Sequence, residues 1–361
     1  METRVTGPAL PPTGLYIHIP FCRRECFYCH FTRFPFQEEL AGRYIRALIK
    51  EIDLYTGRGY KIDTLYFGGG SPSLLKTTDL QAVISALRGT FTFDPDIEFT
   101  LEMNPEDVTP GKLRQLKDLG IDRLSLGVQS FHAADLLYLR RTHTVEQGKA
   151  ALKAALAAGF HNLNLDFIIS LPGQTVAILE KNFLVANDYG IPHISAYILE
   201  GVDGQEEREN QDHELYFQTR DILRSLGYEH YEVSNYSRRE KDRSRHNLKY
   251  WLNREYIGLG LSASGFLAGS DYKNHDDFPA YFSAIEDGRL PIKEETRHIP
   301  DLRRIVMGLR LLDGLPAAGF RSYPEQLSEL LAGGFLVKRG QRIAVHPDRI
   351  LLLHELLTRF F

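Results

Sequence analysis

Residues 18–31 read His-Ile-Pro-Phe-Cys-Arg-Arg-Glu-Cys-Phe-Tyr-Cys-His-Phe. Cys22, Cys26 and Cys29 are the only cysteines of the 361-residue chain. A secreted disulfide framework draws on an even, dispersed set, so three clustered thiols read instead as a metal site in a reducing compartment. Thiolates hold iron–sulfur clusters, and a cubane ordinarily takes four protein ligands. With no fourth cysteine in the chain, one iron of a [4Fe–4S] cluster is left open to a small molecule. The competing reading is a structural zinc site with His30 as fourth ligand. Zinc prefers closed sites, usually built from paired C-x2-C or C/H elements, and no second element is present. The loop therefore predicts a cluster on Cys22, Cys26 and Cys29.

Outward from this loop, short β-rich runs alternate with longer amphipathic stretches. Strands are predicted over 15–19, 64–67, 97–102, 123–127, 163–169 and 194–199, with helices over 38–55, 74–87, 111–119, 145–158 and 176–188. Six successive βα units imply a parallel sheet with right-handed crossovers. The fold class expected is α/β, a partial (β/α)6 TIM-type barrel with a smaller C-terminal winged-helix-like α+β domain. Barrels of this kind place their chemistry at the C-terminal ends of the strands. The unusual residues fall there: Gly68-Gly69-Gly70-Ser71 after the second strand, Glu102 and Asn104 after the third, Gln129 after the fourth and Asp166 on the fifth. Consecutive glycines let a backbone approach a ligand closely. Arg141 could grip a carboxylate in a bidentate fork.

Beyond about residue 227 the rhythm changes, and the predicted organisation is a tail (1–14), the barrel (15–227), a linking segment (228–275) and the C-terminal domain (276–361). That last domain ends in a helix, a hairpin turning at Gly340 and a second helix. It alternates acidic and basic residues without a basic stripe, and the whole chain carries a formal charge of −4. Both argue against a nucleic-acid partner. The longest apolar runs are too short for a membrane span, and the first residues lack a secretory signal, so the expected compartment is the cytoplasm.

The spacing C-x3-C-x2-C resembles that of the radical S-adenosylmethionine (SAM) superfamily, in which SAM chelates the open iron. The triplet in Tyr66–Pro72 resembles the glycine motif that meets the SAM amino group there. LYIHIPFC, YFGGGSPS, LEMNP, RLSLGVQSF, NLDFIISLPGQT, YEVSNYS and HNLKYW together resemble the radical SAM family of oxygen-independent coproporphyrinogen III oxidases and their haem-chaperone relatives. The resemblance implies that Tyr16, Tyr28, Gly69, Gly70, Ser71, Glu102, Gln129, Arg141 and Asp166 bind cofactor. Phe31 stands where the oxidases carry another cysteine, only 21 residues precede Cys22, and His246–Trp251 resembles the HNxxYW signature of the chaperones. His30 and Ser264 depart from the chaperone pattern, which commonly has Asp and His there. The branch implied is the haem chaperone, with haem beside cluster and SAM and with haem-accepting proteins, membrane-associated ones included, as partners. Homodimerisation is left open. The alternative function is radical oxidative decarboxylation of coproporphyrinogen III, an activity the chaperone branch is expected to lack.

Overall fold

The structure, a computed structural model, describes residues 12–199 and 205–361. Residues 1–11 of the expected tail lie outside the described residues. All six predicted strands are present: β1 (Thr13–Ile19), β2 (Lys61–Gly69), β3 (Thr92–Met103), β4 (Arg123–Gln129), β5 (Asn162–Ile169) and β6 (His193–Ile198). They pair side by side, parallel, in chain order. The connections carry α1 (Glu38–Asp53), α2 (Thr77–Thr90), α3 (Pro110–Asp118), α4 (Ala133–Tyr138), α5 (Val145–Ala157) and α6 (Val176–Asp188), and α7 (Gln205–Ser225) follows β6. In α1, Ala41, Tyr44, Ile45, Leu48 and Ile52 recur at helical spacing and are buried, the stripe that docks a helix on a sheet. The start of α5 is set by a capping box between Thr144 and Gln147, which satisfies two otherwise unpaired N–H groups.

Successive side chains of a strand face opposite ways, and here the two faces differ in chemistry. On β5, Leu163, Leu165 and Phe167 enter the apolar core, while Asn164 and Asp166 point into a cavity enclosed by the strands. On β4, Leu124, Leu126 and Val128 take the core side, and Ser125, Gly127 and Gln129 the cavity side. The same division runs along β3, with Phe99 and Leu101 against Thr100 and Glu102. The sheet is thus glued to its helices by hydrocarbon and lined inside by polar groups.

The sheet continues past the six strands at both edges, to twelve in all. At one edge β7 (Glu229–Glu232) and β8 (Asn235–Ser237) add antiparallel to β6 in the order β6-β8-β7. The chain then crosses through α8 (Arg245–Trp251) to the opposite edge. There β9 (Tyr256–Leu259) pairs parallel with β1, Gly14 facing Tyr256 and Ile17 facing Leu259. Antiparallel β10 (Ser264–Leu267), β11 (Ser270–Asn274) and β12 (Ile292–Arg297) complete that edge. The segment 228–275, expected as a link, is therefore woven into the barrel sheet. So is β12, from the segment expected in the C-terminal domain.

Helices α9 (Phe278–Glu286) and α10 (Pro300–Gly308) flank β12 in the chain. The smaller sheet of β13 (Leu315–Pro316), β14 (Leu336–Arg339) and β15 (Arg342–Val345) lies beyond them. Helices α11 (Pro324–Ala332) and α12 (Leu353–Thr358) bracket the β14–β15 hairpin, and Gly340 at φ 60° makes its turn. This is the helix–hairpin–helix read from the sequence.

The HNLKYW segment forms α8, laid against the interior side of the N-terminal halves of β1–β3. Glu98 on β3 accepts the backbone N–H groups of Arg245 and His246, each at 2.9 Å. That carboxylate satisfies the exposed donors at the start of the helix. His246 Nδ1 lies 2.9 Å from Thr64 Oγ1, Nε2 lies 2.8 Å from the Tyr250 hydroxyl, and the ring stacks on Tyr66 with centroids 5.1 Å apart. Lys249 pairs with Asp63 at 2.6 Å. Burial drives the His246 pKa down to about 3, so the ring is a neutral packing and hydrogen-bonding hub.

Candidate cofactor site

The three cysteines follow β1 and line one wall of a cavity of about 530 Å³ at the C-terminal ends of the strands. Their loop is tied down from several sides. Phe21–Cys22 pairs with Phe34–Pro35, and Arg33 donates to the carbonyl oxygens of Cys26 (2.8 Å), Phe31 (3.1 Å) and Cys29. Arg23 holds Asp107 at 2.7 Å, and Asp107 also accepts the Ser73 hydroxyl at 2.6 Å. The glycine motif crosses beneath: Gly70 N–H donates to Ile19 O at 2.8 Å and Ser71 N–H to Phe21 O at 2.7 Å. A Cβ on Gly70 would stand 2.6 Å from Phe21 O, so glycine is required for this crossing. Burial, then mutual proximity, pushes the Cys22 thiol up to about 11, and burial raises Cys29. Such thiols ionise when a metal's charge takes the place of their protons. Among the described residues no three His, Cys, Asp or Glu side chains converge tightly enough to grip a single metal ion; a cubane would draw on the three sulfurs one iron each.

Opposite the loop stands the polar ring. Glu102 accepts the Tyr66 hydroxyl at 2.7 Å and the Gly69 N–H at 3.2 Å. Burial pushes its pKa up to about 7 against those two bonds, with nearby Asp166 adding to the rise. Asp166 is raised by burial too, and accepts from Ser125 Oγ at 3.0 Å and Asn164 Nδ2 at 2.8 Å. Two half-buried carboxyls held up in this way favour a ligand that brings positive charge or hydrogen-bond donors. Asn104 bridges Ser71 Oγ (2.9 Å) and Arg141 Nη2 (2.6 Å), while Arg141 Nη1 lies 3.9 Å from the Cys26 sulfur. The Tyr28 hydroxyl is buried against the Arg141 guanidinium and the Cys26 sulfur. Gln129 holds φ at 62°, an unfavourable geometry for a non-glycine residue that concentrates at ligand sites, and its side chain lines the cavity. The three thiols and this polar lining fit a cluster with a polar organic ligand beside it.

Of the residues expected to bind cofactor, all but Tyr16 line this cavity. Tyr16 stands apart from that lining: its hydroxyl is bonded to His18 Nδ1 at 3.0 Å, and its ring lies beside Tyr66 and His246. It buttresses the wall through His18, whose ring fills the space a Cβ on Gly69 would need. Sequence reading missed Tyr66, Ser125, Asn164 and Arg33. The strict alternation in Asn162-Leu163-Asn164-Leu165-Asp166-Phe167 carried the signal for the inward polar face; Arg33 carried none.

The sequence profile of the Radical SAM superfamily matches residues 16–184, which include the cysteines and the polar ring from Gly68 to Asp166. "Heme chaperone HemW" of Lactococcus lactis subsp. lactis is 33% identical, over 97% of this chain and 97% of its own length. The chain belongs to the HemW family of radical SAM proteins. The family's "Heme chaperone HemW" from Escherichia coli is 29% identical over 97% of this chain and 98% of its own. The fold is that of coproporphyrinogen III oxidase (HemN) from Escherichia coli, with a TM-score of 0.82 over 97% of this chain and 90% of that one at 21% identity. Membership brings with it a [4Fe–4S] cluster and SAM. The partial barrel expected from six βα units is that shared fold.

Proposed function

We propose that this protein is a haem chaperone of the HemW kind, which binds haem and passes it to haem-dependent proteins, membrane-associated ones among them. The observation that carries the reading is full-length similarity to HemW proteins from several bacteria, in a chain whose cavity joins the three cysteines to a ring of polar side chains. Cys22, Cys26 and Cys29 would hold the cluster. Gly69, Ser71, Glu102, Gln129, Arg141 and Asp166, with Tyr28, would hold SAM, the carboxyls taking its amine and hydroxyls and Arg141 its carboxylate. Cluster and SAM together supply redox and radical chemistry when bound. The chain's own residues fix the cysteine loop, supply hydrogen bonds from β2 to β5, and keep the interior polar.

The test is anaerobic reconstitution followed by two assays on the same sample. The expected outcome is stoichiometric haem binding, seen as a Soret band, with coproporphyrinogen III left unconverted in the presence of SAM and reductant. Sustained turnover to protoporphyrinogen IX, measured by chromatography, would overturn the chaperone reading, as would the absence of haem binding.

A further inference from the structure

The rim of the cavity beside the cysteine loop carries apolar surface that the fold leaves in solvent. Phe31 is 62% exposed, Phe27 40% and Leu137 80%. Phe27 packs edge-on against Tyr138 with ring centroids 5.6 Å apart. It thereby joins the loop to α4 in one aromatic ledge. Single exposed hydrophobes are ordinary, but Phe31 lines the cavity itself and Phe27 stands beside Arg140, which also lines it, and apolar surface gathered at a cavity mouth marks an interaction site. Cations border it. Arg140 stands 5.7 Å from the Phe27 ring centroid, at a strained φ of 54°, and Arg24 lies on the same mouth. Glu25 is the acidic neighbour in the loop.

Two histidines line the cavity. His193 is buried with both ring nitrogens taken, by Asn164 Oδ1 at 2.6 Å and the Tyr231 hydroxyl at 2.8 Å. His30 is exposed, in the loop between Cys29 and Phe31. A flat apolar ring system with anionic carboxylates and an iron that takes an imidazole needs aromatic faces, guanidinium partners and an available histidine. The mouth offers all three.

We propose that haem docks on this ledge, its ring against Phe27 and Phe31, its propionates on Arg24 and Arg140, and its iron on His30. This rests on the chaperone reading and assigns it a site. HNLKYW is not that site, because His246 is 1% exposed and both its nitrogens are engaged.

The experiment titrates hemin into full-length reconstituted protein and into four variants, with iron and sulfide content measured for each to show the loop intact. Phe31→Ser and the pair Arg24→Glu/Arg140→Glu should each weaken hemin binding about ten-fold or more, since a lost aromatic face or a lost charge-assisted contact is worth that much. His30→Ala should shift the Soret band and change the ferric haem EPR signature. Phe361→Ser, which alters an exposed aromatic of the C-terminal domain, should leave affinity unchanged. If the unaltered protein binds no hemin, the chaperone reading itself fails. If it binds hemin and the ledge variants match it in affinity and spectrum, the chaperone reading stands and this site is overturned. Equal weakening by Phe361→Ser would show non-specific adhesion and overturn it too.

Discussion

Arg33 turns its guanidinium back onto the loop that carries it, with donors on the carbonyls of Cys26, Cys29 and Phe31. Several bonds from one planar group fix a loop that has no regular structure of its own. Arg33→Ala should reconstitute with less iron and sulfide than the parent, and Arg33→Lys should recover only part, because an ammonium cannot span carbonyls as a guanidinium does. Cys22→Ala, Cys26→Ala or Cys29→Ala should each abolish the cluster, and stoichiometric zinc without sulfide in the parent protein would contradict the site. On the opposite wall, Asp166→Ala should weaken SAM binding on the order of ten-fold, the worth of a charge-assisted bond. Calorimetry on it and on Glu102→Ala checks this, and unchanged affinity in both would remove them from the ligand shell. Cysteines, glycines and strand-end carboxyls were legible because their chemistry is rare in a soluble core. Arg33 was not, because its role exists only once the loop has turned back on itself. The contact of Tyr16 with His18 was hidden as well, because it exists only once β1 has formed.

Helix α1 is joined to the far edge of the sheet by one buried carboxyl. Glu51 accepts the Gly260 N–H at 2.8 Å, Asn274 Nδ2 at 2.9 Å and the Tyr281 hydroxyl at 2.6 Å. It thus ties α1 to the end of β9, to β11 and to α9. Burial nonetheless raises its pKa from 4.5 to about 7. A carboxyl raised in the fold favours the folded state in its neutral form. Its contribution is full below pH 4.5 and is lost as pH rises through 7. The shift corresponds to about 3 kcal/mol. Glu51→Gln should therefore flatten the fall in thermal stability between pH 5 and pH 8, as differential scanning calorimetry would show. A variant with the parent's slope would assign that fall to other groups. The inner elements were legible because every strand from β1 to β6 alternates or runs apolar between turn residues. The edge strands β7 to β12 were not, since short, half-exposed strands take their partners from tertiary context.

At the scale of the whole molecule, one sheet carries both the cofactor cavity and the elements that enclose it. The interior of the six-stranded arc is polar, and α8 plugs its N-terminal side with His246 and Lys249, so the usual hydrocarbon filling of a closed barrel is replaced by hydrogen bonds. No helix among the described residues is long and apolar enough to cross a membrane. His246→Phe should leave the Thr64 and Tyr250 hydroxyls without their ring-nitrogen partners, costing a few kcal/mol through unpaired buried polar groups, and denaturant unfolding measures it. The plug's place in the fold was hidden from sequence because HNLKYW reads as an aromatic patch until Thr64 and Glu98 are brought to it from β2 and β3.

The parallel pairing of β1 with β9 sets Gly14 beside Tyr256, partners about 240 residues apart in the chain. A ribosome delivers the cysteine loop well before β9, and the strand that leads into it keeps one bare edge until Leu259 has left the exit tunnel. A bare edge invites pairing with another chain, and contacts this distant in sequence form late. Nascent chains stalled before Tyr256 should thus be sensitive to protease around Thr13–Ile19, and chains released beyond Asn274 protected. The cofactor loop thus waits, long after its own synthesis, for a distant strand to make it safe.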